Sequence, residues 1–215
     1  MLFEIPPKTI LQLILRQIDT LFLINDTDRT LVNDYFEQAL ERSERCFSQN
    51  PNKYYHCNKE TYFNPYHSVQ YMTFLYYLSN CIYRVNGNNI TSDKLYYLNK
   101  TLNGVDLFYT VNMPDHFMAE HPIGSVIGHA KINNGFLFYQ NCTVGGFHLP
   151  EGRIVYPIIG SDVKLFAGSS IIGDCRIGNH VNIGAGTIVK NQHIPSNSNV
   201  FGQSPNLIIK PLKTI

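Results

Sequence analysis

The chain has 215 residues, enough for one large domain or two smaller ones that bury a hydrophobic core. Its 17 basic and 16 acidic residues give a net charge of +1 and form no basic stripe, which excludes nucleic acid as a partner. The five cysteines are odd in number and include no C-x-x-C pair, which indicates neither a disulfide framework nor a zinc knuckle.

The beginning of the chain lacks the pattern of a signal peptide or a membrane anchor. No basic region precedes an apolar run in residues 1–9, and Arg16 and Asp19 interrupt the apolar stretch over 10–24. We therefore expect a cytoplasmic protein, with a membrane-proximal position as the alternative.

Four helical patterns occupy the first hundred residues. Thr9 is a suitable N-cap for the first, and Asn50-Pro51 ends the second. The predicted helices run over 10–18, from 26 or 27 to 49, over 67–85 and over 92–102. Their apolar and aromatic residues are expected to form a core rather than a ligand site. The sequence predicts a small α-helical domain over residues 1–104.

From Val105 onward the pattern changes to short apolar segments separated by Gly, Asn and Pro. Apolar residues recur at every sixth position, which is neither the helical period of 3.6 nor the strand period of 2. The positions are Ile132, Phe138 and Val144, and then Ile159, Leu165, Ile171, Ile177, Ile183 and Val189. A sixfold period is typical of stacked coils in a parallel β-helix. We predict such a β-helix over residues 105–200.

The sixfold period has one interruption and one end. Val144 and Ile159 are not a multiple of six apart, so the chain must leave the coil between them. The glycines and proline of this stretch predict a loop over 146–156, and loops that leave a regular coil often carry function. After Lys190 the period fades, and residues 201–215 are predicted to be a carboxy-terminal extension.

Motifs in this second half resemble the hexapeptide-repeat acyltransferases and, within them, the serine acetyltransferase family. The segments that carry the resemblance are Val105-Asp106, Glu120-His121, residues 125–128, residues 143–146, Tyr156-Pro157, residues 183–187 and residues 201–205. The resemblance implies a left-handed β-helix that follows a helical domain, with acetyl-CoA as acetyl donor. It also implies a homotrimer, or a hexamer paired through the helical domains, with active sites between subunits.

The resemblance assigns His121 as general base and Asp106, fifteen positions earlier, as the group that orients it. A neutral alcohol is too weak a nucleophile for a thioester, so an imidazole must take its proton during the attack. A carboxylate behind the imidazole fixes its tautomer and stabilises the imidazolium. Backbone amides near Gly145 and Gly146 are expected to stabilise the tetrahedral oxyanion.

The resemblance also implies a groove for the pantetheine arm of the donor. An extended arm approaches the backbone closely only where side chains are small. The matching positions are Gly145, Gly146, Ala167, Gly168, Ala185 and Gly186. Lys190 and Lys210 are assigned to the phosphates of the nucleotide.

The positions expected around the acceptor depart from the family. Serine acetyltransferases have Asp before the catalytic His and Arg-His before the proline that restarts the coil, whereas this chain has Glu120 and Val155-Tyr156. A tyrosine suits stacking on a sugar ring or hydrogen bonding to it. We therefore predict acetyl transfer to a hydroxyl of a sugar, in a capsular or other cell-surface glycan. Glu120, Tyr156 and His148 are the predicted acceptor contacts.

Two other functions remain open at this point. One is a serine O-acetyltransferase of cysteine biosynthesis, and the other is a non-catalytic oligomeric scaffold. A zinc site is a weaker alternative, since His116 and His121 resemble the paired histidines of carbonic-anhydrase-like β-helices. The third ligand would be His129 or His148, but neither lies in the sequence context of that class, so we predict no metal.

Overall fold

The computed structural model describes residues 1–212, which divide into two compact units. The helical unit comprises Met1–Asn103 together with Phe108–Thr110, and the coil unit comprises Gly104–Leu107 and the chain from Val111 onward. The short segment Phe108–Thr110 therefore belongs with the helices, although the sequence assigned it to the coil. The last three residues of the predicted extension over 201–215 lie outside the described residues.

The helical unit contains the four helices that the sequence predicts, and all but the second begin at residues other than the predicted ones. They are α1 (Pro7–Leu21), α2 (Asp26–Ser48), α3 (Ser68–Asn86) and α4 (Ile90–Asn103). Helix α1 begins at Pro7 because proline has no N–H to leave unpaired in the first turn and a φ that suits a helix. Thr9 consequently lies inside the first turn and is not the N-cap. Helix α2 is capped by Asn25, whose side chain and backbone exchange hydrogen bonds with Asp28 at 2.9 and 3.0 Å.

A three-stranded sheet in the helical unit was not predicted from the sequence. Its strands are β1 (Leu2–Phe3), β2 (His56–Cys57) and β3 (Glu60–Phe63), in the order β1-β3-β2. Strands β1 and β2 have two residues each and β3 has four, which is too short for an alternating pattern to be recognised in the sequence. None of the helices in residues 1–212 is long and apolar enough to cross a membrane.

A buried carboxylate joins α2 to α4. Asp28 is 1% exposed, and its two oxygens accept hydrogen bonds from Lys94 Nζ at 2.6 Å and Thr91 Oγ1 at 2.8 Å. Burial raises the pKa of Asp28, but the hydrogen bonds from Lys94, the Asn25 backbone and Thr91 together bring that pKa below its usual value. Because the folded pKa lies below the unfolded one, the ionised group stabilises the fold above about pH 4. This stabilisation is lost as the pH falls through the folded pKa.

We expect Thr91→Val to lower the free energy of unfolding of the helical unit by about 2 kcal/mol at neutral pH, because it removes a buried hydrogen bond to a carboxylate. The loss should shrink between about pH 5 and pH 2, as the carboxylate becomes protonated in both states. Urea unfolding followed by helical circular dichroism measures the difference. Thr20→Val is the control, since the Thr20 hydroxyl is exposed and bonds only within its own helix. An equal loss at both pH values would contradict the assignment.

The coil unit consists of short strands, almost all parallel. They are β4 (Asp106–Leu107), β5 (Phe117–Ala119), β6 (Val126–Ile127), β7 (Lys131–Ile132), β8 (Phe136–Phe138), β9 (Thr143–Gly145), β10 (Phe147–His148), β11 (Ile154–Val155), β12 (Ile158–Ile159), β13 (Lys164–Leu165), β14 (Ser170–Ile172), β15 (Arg176–Ile177), β16 (Val181–Ile183), β17 (Ile188–Lys190), β18 (Ser198–Gln203) and β19 (Asn206–Pro211).

Most of these strands stack into three faces. Face 1 contains β5, β8, β13, β16 and β18; face 2 contains β4, β6, β9, β14 and β17; face 3 contains β7, β12 and β15. Along the chain each turn of the coil passes from face 1 to face 2 and then to face 3. We call the bends that follow faces 1, 2 and 3 the first, second and third corners. Strand β19 folds back antiparallel on β18.

The sixfold period corresponds to the core of this coil. Period residues in successive turns of the coil pair with each other, as Ile159 with Ile177 and Leu165 with Ile183. All the predicted period residues are buried, so the prediction of a parallel coil is confirmed. The predicted loop over 146–156 contains a short hairpin, in which β10 pairs antiparallel with β11 between faces 2 and 3.

Candidate active site

Asp106 and His121 lie at the same end of the coil, on backbone segments that are bonded to each other. The N–H of Gly124 donates to the oxygen of Gly104 at 2.8 Å, and the N–H of Asp106 donates to the oxygen of Ser125 at 2.9 Å. Asp106 is a half-buried residue on face 2, and His121 is an exposed residue on the first corner. The fold thus places the two residues on adjacent segments, although they are far apart in sequence.

His121 has an unusual backbone conformation. Its φ is +49°, in the left-handed region that residues other than glycine and asparagine seldom adopt. The N–H of Ile123 donates to the His121 oxygen at 2.8 Å, which closes the turn. Glu120, directly before it, is half-buried, and its N–H donates to the oxygen of Phe138 at 3.0 Å. The same conformation recurs at other corners, as at Asn141 and His180, so it belongs to the geometry of the coil.

Four of the six small residues predicted to bind the donor lie on the first corner, in later turns of the coil than His121. Gly168 and Gly186 have φ of +71° and +69°, and the N–H of Gly186 donates to the Ala167 oxygen at 2.9 Å. A Cβ added at Gly186 would meet no atom within 4 Å, so the surface there is open. We call Ala167, Gly168, Ala185 and Gly186 the small-residue corner. It provides an open backbone surface along the same corner that carries His121.

The other two predicted small residues lie at the opposite edge of face 2. Gly145 is the last residue of β9, and the N–H of Gly173 donates to its oxygen at 3.0 Å. Gly146 is covered, because a Cβ there would be 2.7 Å from the ring of Tyr156 and 2.8 Å from Ile154. Within one chain, face 2 therefore separates Gly145 and Gly146 from His121.

The two predicted phosphate-binding lysines are not brought together. Lys190 ends β17 on the same edge of face 2 as Gly145, and its Nζ lies 4.4 Å from the centroid of the Phe147 ring. Lys210 lies on β19, opposite Asn199 of β18, and so lies beside face 1. Both lysines are exposed. Their separation means that they do not form one cationic site within one chain.

Two of the predicted acceptor residues belong to the hairpin that leaves the coil. His148 is exposed on β10 and pairs with Ile154 of β11. Tyr156 follows the hairpin, covers Gly146, and meets the ring of His129 edge-on with centroids 5.7 Å apart. The contact between Tyr156 and His129 could not be foreseen, because no spacing in the sequence relates the two residues. Tyr156 is thus part of the base of the hairpin.

A zinc site, the weaker alternative from the sequence, requires at least three ligands close together. Within residues 1–212 no three histidine, cysteine, aspartate or glutamate side chains are close enough to hold a metal ion. His116, the proposed partner of His121, is half-buried near Asp162, and burial lowers the pKa of its imidazole.

Comparison with known families matches residues 156–191 to the bacterial transferase hexapeptide family, a model of six repeats. Among curated proteins, a serine acetyltransferase of Staphylococcus epidermidis is 33% identical over 114 residues, which are 53% of this chain and 52% of that protein. One of Synechococcus elongatus is 32% identical over 109 residues, or 50% of this chain and 44% of that protein. The chain thus spans about half the length of the curated relatives it matches.

Solved structures of serine acetyltransferases have the same fold. The enzyme of Vibrio cholerae O1 biovar El Tor superposes with a TM-score of 0.69 at 21% identity, over 87% of this chain and 72% of that one. The predicted fold, a left-handed parallel β-helix preceded by a small helical domain, is therefore confirmed. The resemblance to hexapeptide-repeat acyltransferases of the serine acetyltransferase type is also confirmed.

The predicted sugar acceptor is wrong. The relatives of this chain are serine acetyltransferases, and they give no support to a sugar hydroxyl or to a capsular or cell-surface glycan. The prediction depended on Tyr156 as a platform for a sugar ring. In the structure this ring covers Gly146 and contacts His129, so its presence is explained by packing at the base of the hairpin.

Proposed function

We propose that this chain transfers acetyl from acetyl-CoA to the side-chain hydroxyl of serine. The main support is that His121 and Asp106 lie on adjacent segments, and that His121 lies on the first corner, separated from the small-residue corner by the turn that contains Gln140. A serine acetyltransferase solved in complex with CoA has the same fold, with a TM-score of 0.64 at 17% identity over 85% of this chain and 75% of that one. The similarity to curated serine acetyltransferases supports serine as the proposed acceptor.

The proposed mechanism requires one proton carrier and one orienting group. Neutral His121 takes the hydroxyl proton while the oxygen attacks the thioester carbonyl, which forms a tetrahedral oxyanion. The oxyanion collapses with cleavage of the carbon–sulfur bond, and the imidazolium returns the proton to the departing thiolate. Asp106 orients the imidazole and stabilises its cationic form between the two steps. The products are O-acetylserine and CoA with a free thiol.

The proposed site is completed by a second copy of the chain. Gly145 and Gly146 lie across face 2 from His121, so their amides reach the oxyanion only if a neighbouring subunit supplies them. We therefore propose a homotrimer with active sites between subunits, with a hexamer paired through the helical units as the alternative. In that site the small-residue corner holds the pantetheine arm, and Lys190 and Lys210, which are apart within one chain, meet the phosphates of the nucleotide from different subunits.

The acceptor contacts are proposed to differ from those of other serine acetyltransferases. Glu120 is the carboxylate next to the general base, and we assign it to the ammonium group of serine. Tyr156 and His148 at the hairpin are assigned to the other side of the acceptor. Val155 stands where serine acetyltransferases have the arginine before this position, so the bidentate pair with the serine carboxylate is lost there and we expect affinity for serine to be modest.

The acceptor is tested by release of the CoA thiol from acetyl-CoA. We expect L-serine to support release at least about tenfold faster than hexoses, amino sugars or oligosaccharides at equal concentration. L-Alanine is the matched control, since it lacks only the hydroxyl and should give the background rate of hydrolysis. Faster release with a sugar would contradict serine as acceptor. Failure to bind acetyl-CoA in calorimetry would contradict catalysis itself and favour the non-catalytic scaffold.

A further inference from the structure

A buried hydrogen-bond acceptor on the first corner has no partner. Within residues 1–212, three buried side-chain atoms make no hydrogen bond, namely His116 Nε2, Gln140 Oε1 and Gln192 Oε1. His116 adjoins the third corner and Gln192 lies on the second, so Gln140 is the one of these three that lies on the corner of His121. A buried polar atom without a partner costs free energy, and a ligand that supplies a donor removes this cost.

The turn that carries Gln140 lies between the turn of His121 and the small-residue corner. The N–H of Asn141 donates to the oxygen of Ile123 in the His121 turn at 3.0 Å. On the other side, the N–H of Gly168 donates to the backbone oxygen of Gln140 at 2.9 Å. A ligand that extends from the small-residue corner to His121 on the same chain therefore passes Gln140.

The chemistry of acetyl-CoA determines which of its groups lies at this turn. Two methylenes join the thioester sulfur to the nearest amide nitrogen of the pantetheine arm, a separation close to that of successive turns of the coil, about 4.8 Å. With the thioester at His121 and the arm on the small-residue corner, this amide lies at the level of Gln140. Its N–H is a neutral donor and suits the neutral Oε1 of Gln140, whereas the ammonium group of serine suits the carboxylate of Glu120.

We propose that Gln140 binds the donor, and that its Oε1 accepts a hydrogen bond from the pantetheine N–H nearest the thioester. The inference rests on the donor of the proposed function and adds a contact at the reactive end of the arm. At the turn of Gln140 the arm is held by a side chain. At the two turns of the small-residue corner it lies directly on the backbone.

The test removes the oxygen and keeps the length of the side chain. Gln140→Met is expected to raise the Kd for CoA about tenfold in calorimetry, because the amide N–H loses its acceptor. Binding of adenosine 3′,5′-bisphosphate, which lacks the pantetheine arm, should not change. An unchanged Kd for CoA would overturn the proposal, and so would an equal loss of affinity for both ligands, which would indicate a general change in the coil.

The matched control is Gln192→Met. It removes the same unpaired oxygen from the second corner, which is not assigned to the arm. Its Kd for CoA should stay within about twofold of that of the unaltered protein. If this variant loses as much affinity as Gln140→Met, the effect does not depend on the first corner and the proposal is wrong.

An altered ligand tests the same hydrogen bond on the unaltered protein. A CoA analogue with an ester oxygen in place of this N–H lacks the donor. The unaltered protein should bind the analogue about tenfold more weakly than CoA, whereas Gln140→Met should bind the two about equally, because the bond is already absent. Equal affinity of the unaltered protein for both ligands would overturn the proposal, even if Gln140→Met fails to fold.

These titrations contain no acceptor, so they separate this inference from the proposed function. If CoA binds with the expected dependence on Gln140 but L-serine supports no thiol release, the proposed acceptor fails and the role of Gln140 stands. If L-serine supports release and neither Gln140→Met nor the ester analogue weakens binding, the proposed function stands and the role of Gln140 is wrong. An unaltered protein that does not bind CoA contradicts both.

Discussion

Replacement of His121 by asparagine is expected to lower kcat about a thousandfold, with little change in the KM for acetyl-CoA. The imidazole is the only group in the proposed mechanism that accepts the hydroxyl proton. Asparagine cannot take up a proton, but it tolerates the left-handed backbone that His121 adopts with φ of +49°. The variant therefore tests the chemistry without straining the turn. Steady-state thiol release with L-serine measures it.

The matched control for this change is His180→Asn. His180 is also an exposed histidine in a left-handed turn, with φ of +54°, but it lies on the third corner and pairs with Asp162 at 3.4 Å. We expect its kcat to stay within about twofold of the unaltered protein. Comparable activity in His121→Asn and in the control would mean that another group removes the proton, and the proposed mechanism would have to be abandoned.

The coil was predictable because its core repeats along the chain. Every sixth residue is buried in the coil, so the spacing of Ile159, Ile171 and Val189 predicts the fold without any information on distant contacts. The hairpin of β10 and β11 was predictable only as an interruption, since its strands have two residues each. The helices were predicted from their periodicity, while the beginning of α1 depends on Pro7.

The candidate site was only partly predictable. The family resemblance predicted His121 and Asp106 as site residues, but the bonds that join their segments, such as Gly124 to Gly104, depend on how successive turns of the coil stack. For Tyr156 the residue type alone led to a wrong prediction. A phenol ring suits a sugar, but in the structure this ring packs on Gly146.

A larger side chain in the small-residue corner is expected to have a large effect on the KM for acetyl-CoA. We expect Ala185→Gln to raise the KM for acetyl-CoA about thirtyfold and to leave kcat at saturation nearly unchanged, because a long side chain there prevents close approach of the pantetheine arm. The coil itself should tolerate the change. Gln140 occupies the corresponding position two turns earlier, directly before the left-handed Asn141, as Ala185 directly precedes Gly186. Thiol release as a function of acetyl-CoA concentration measures the two constants.

The control for Ala185→Gln places the same side chain on a corner that is not assigned to the donor. Ser161 directly precedes the left-handed Asp162 on the third corner, so Ser161→Gln makes a comparable change at an equivalent bend. Its KM for acetyl-CoA should be unaffected, and both variants should unfold at the same temperature. The groove for the pantetheine arm requires small residues only at the small-residue corner. An equal rise in the KM for acetyl-CoA in both variants would therefore indicate a general effect on the coil. No rise in Ala185→Gln would remove the pantetheine arm from this corner.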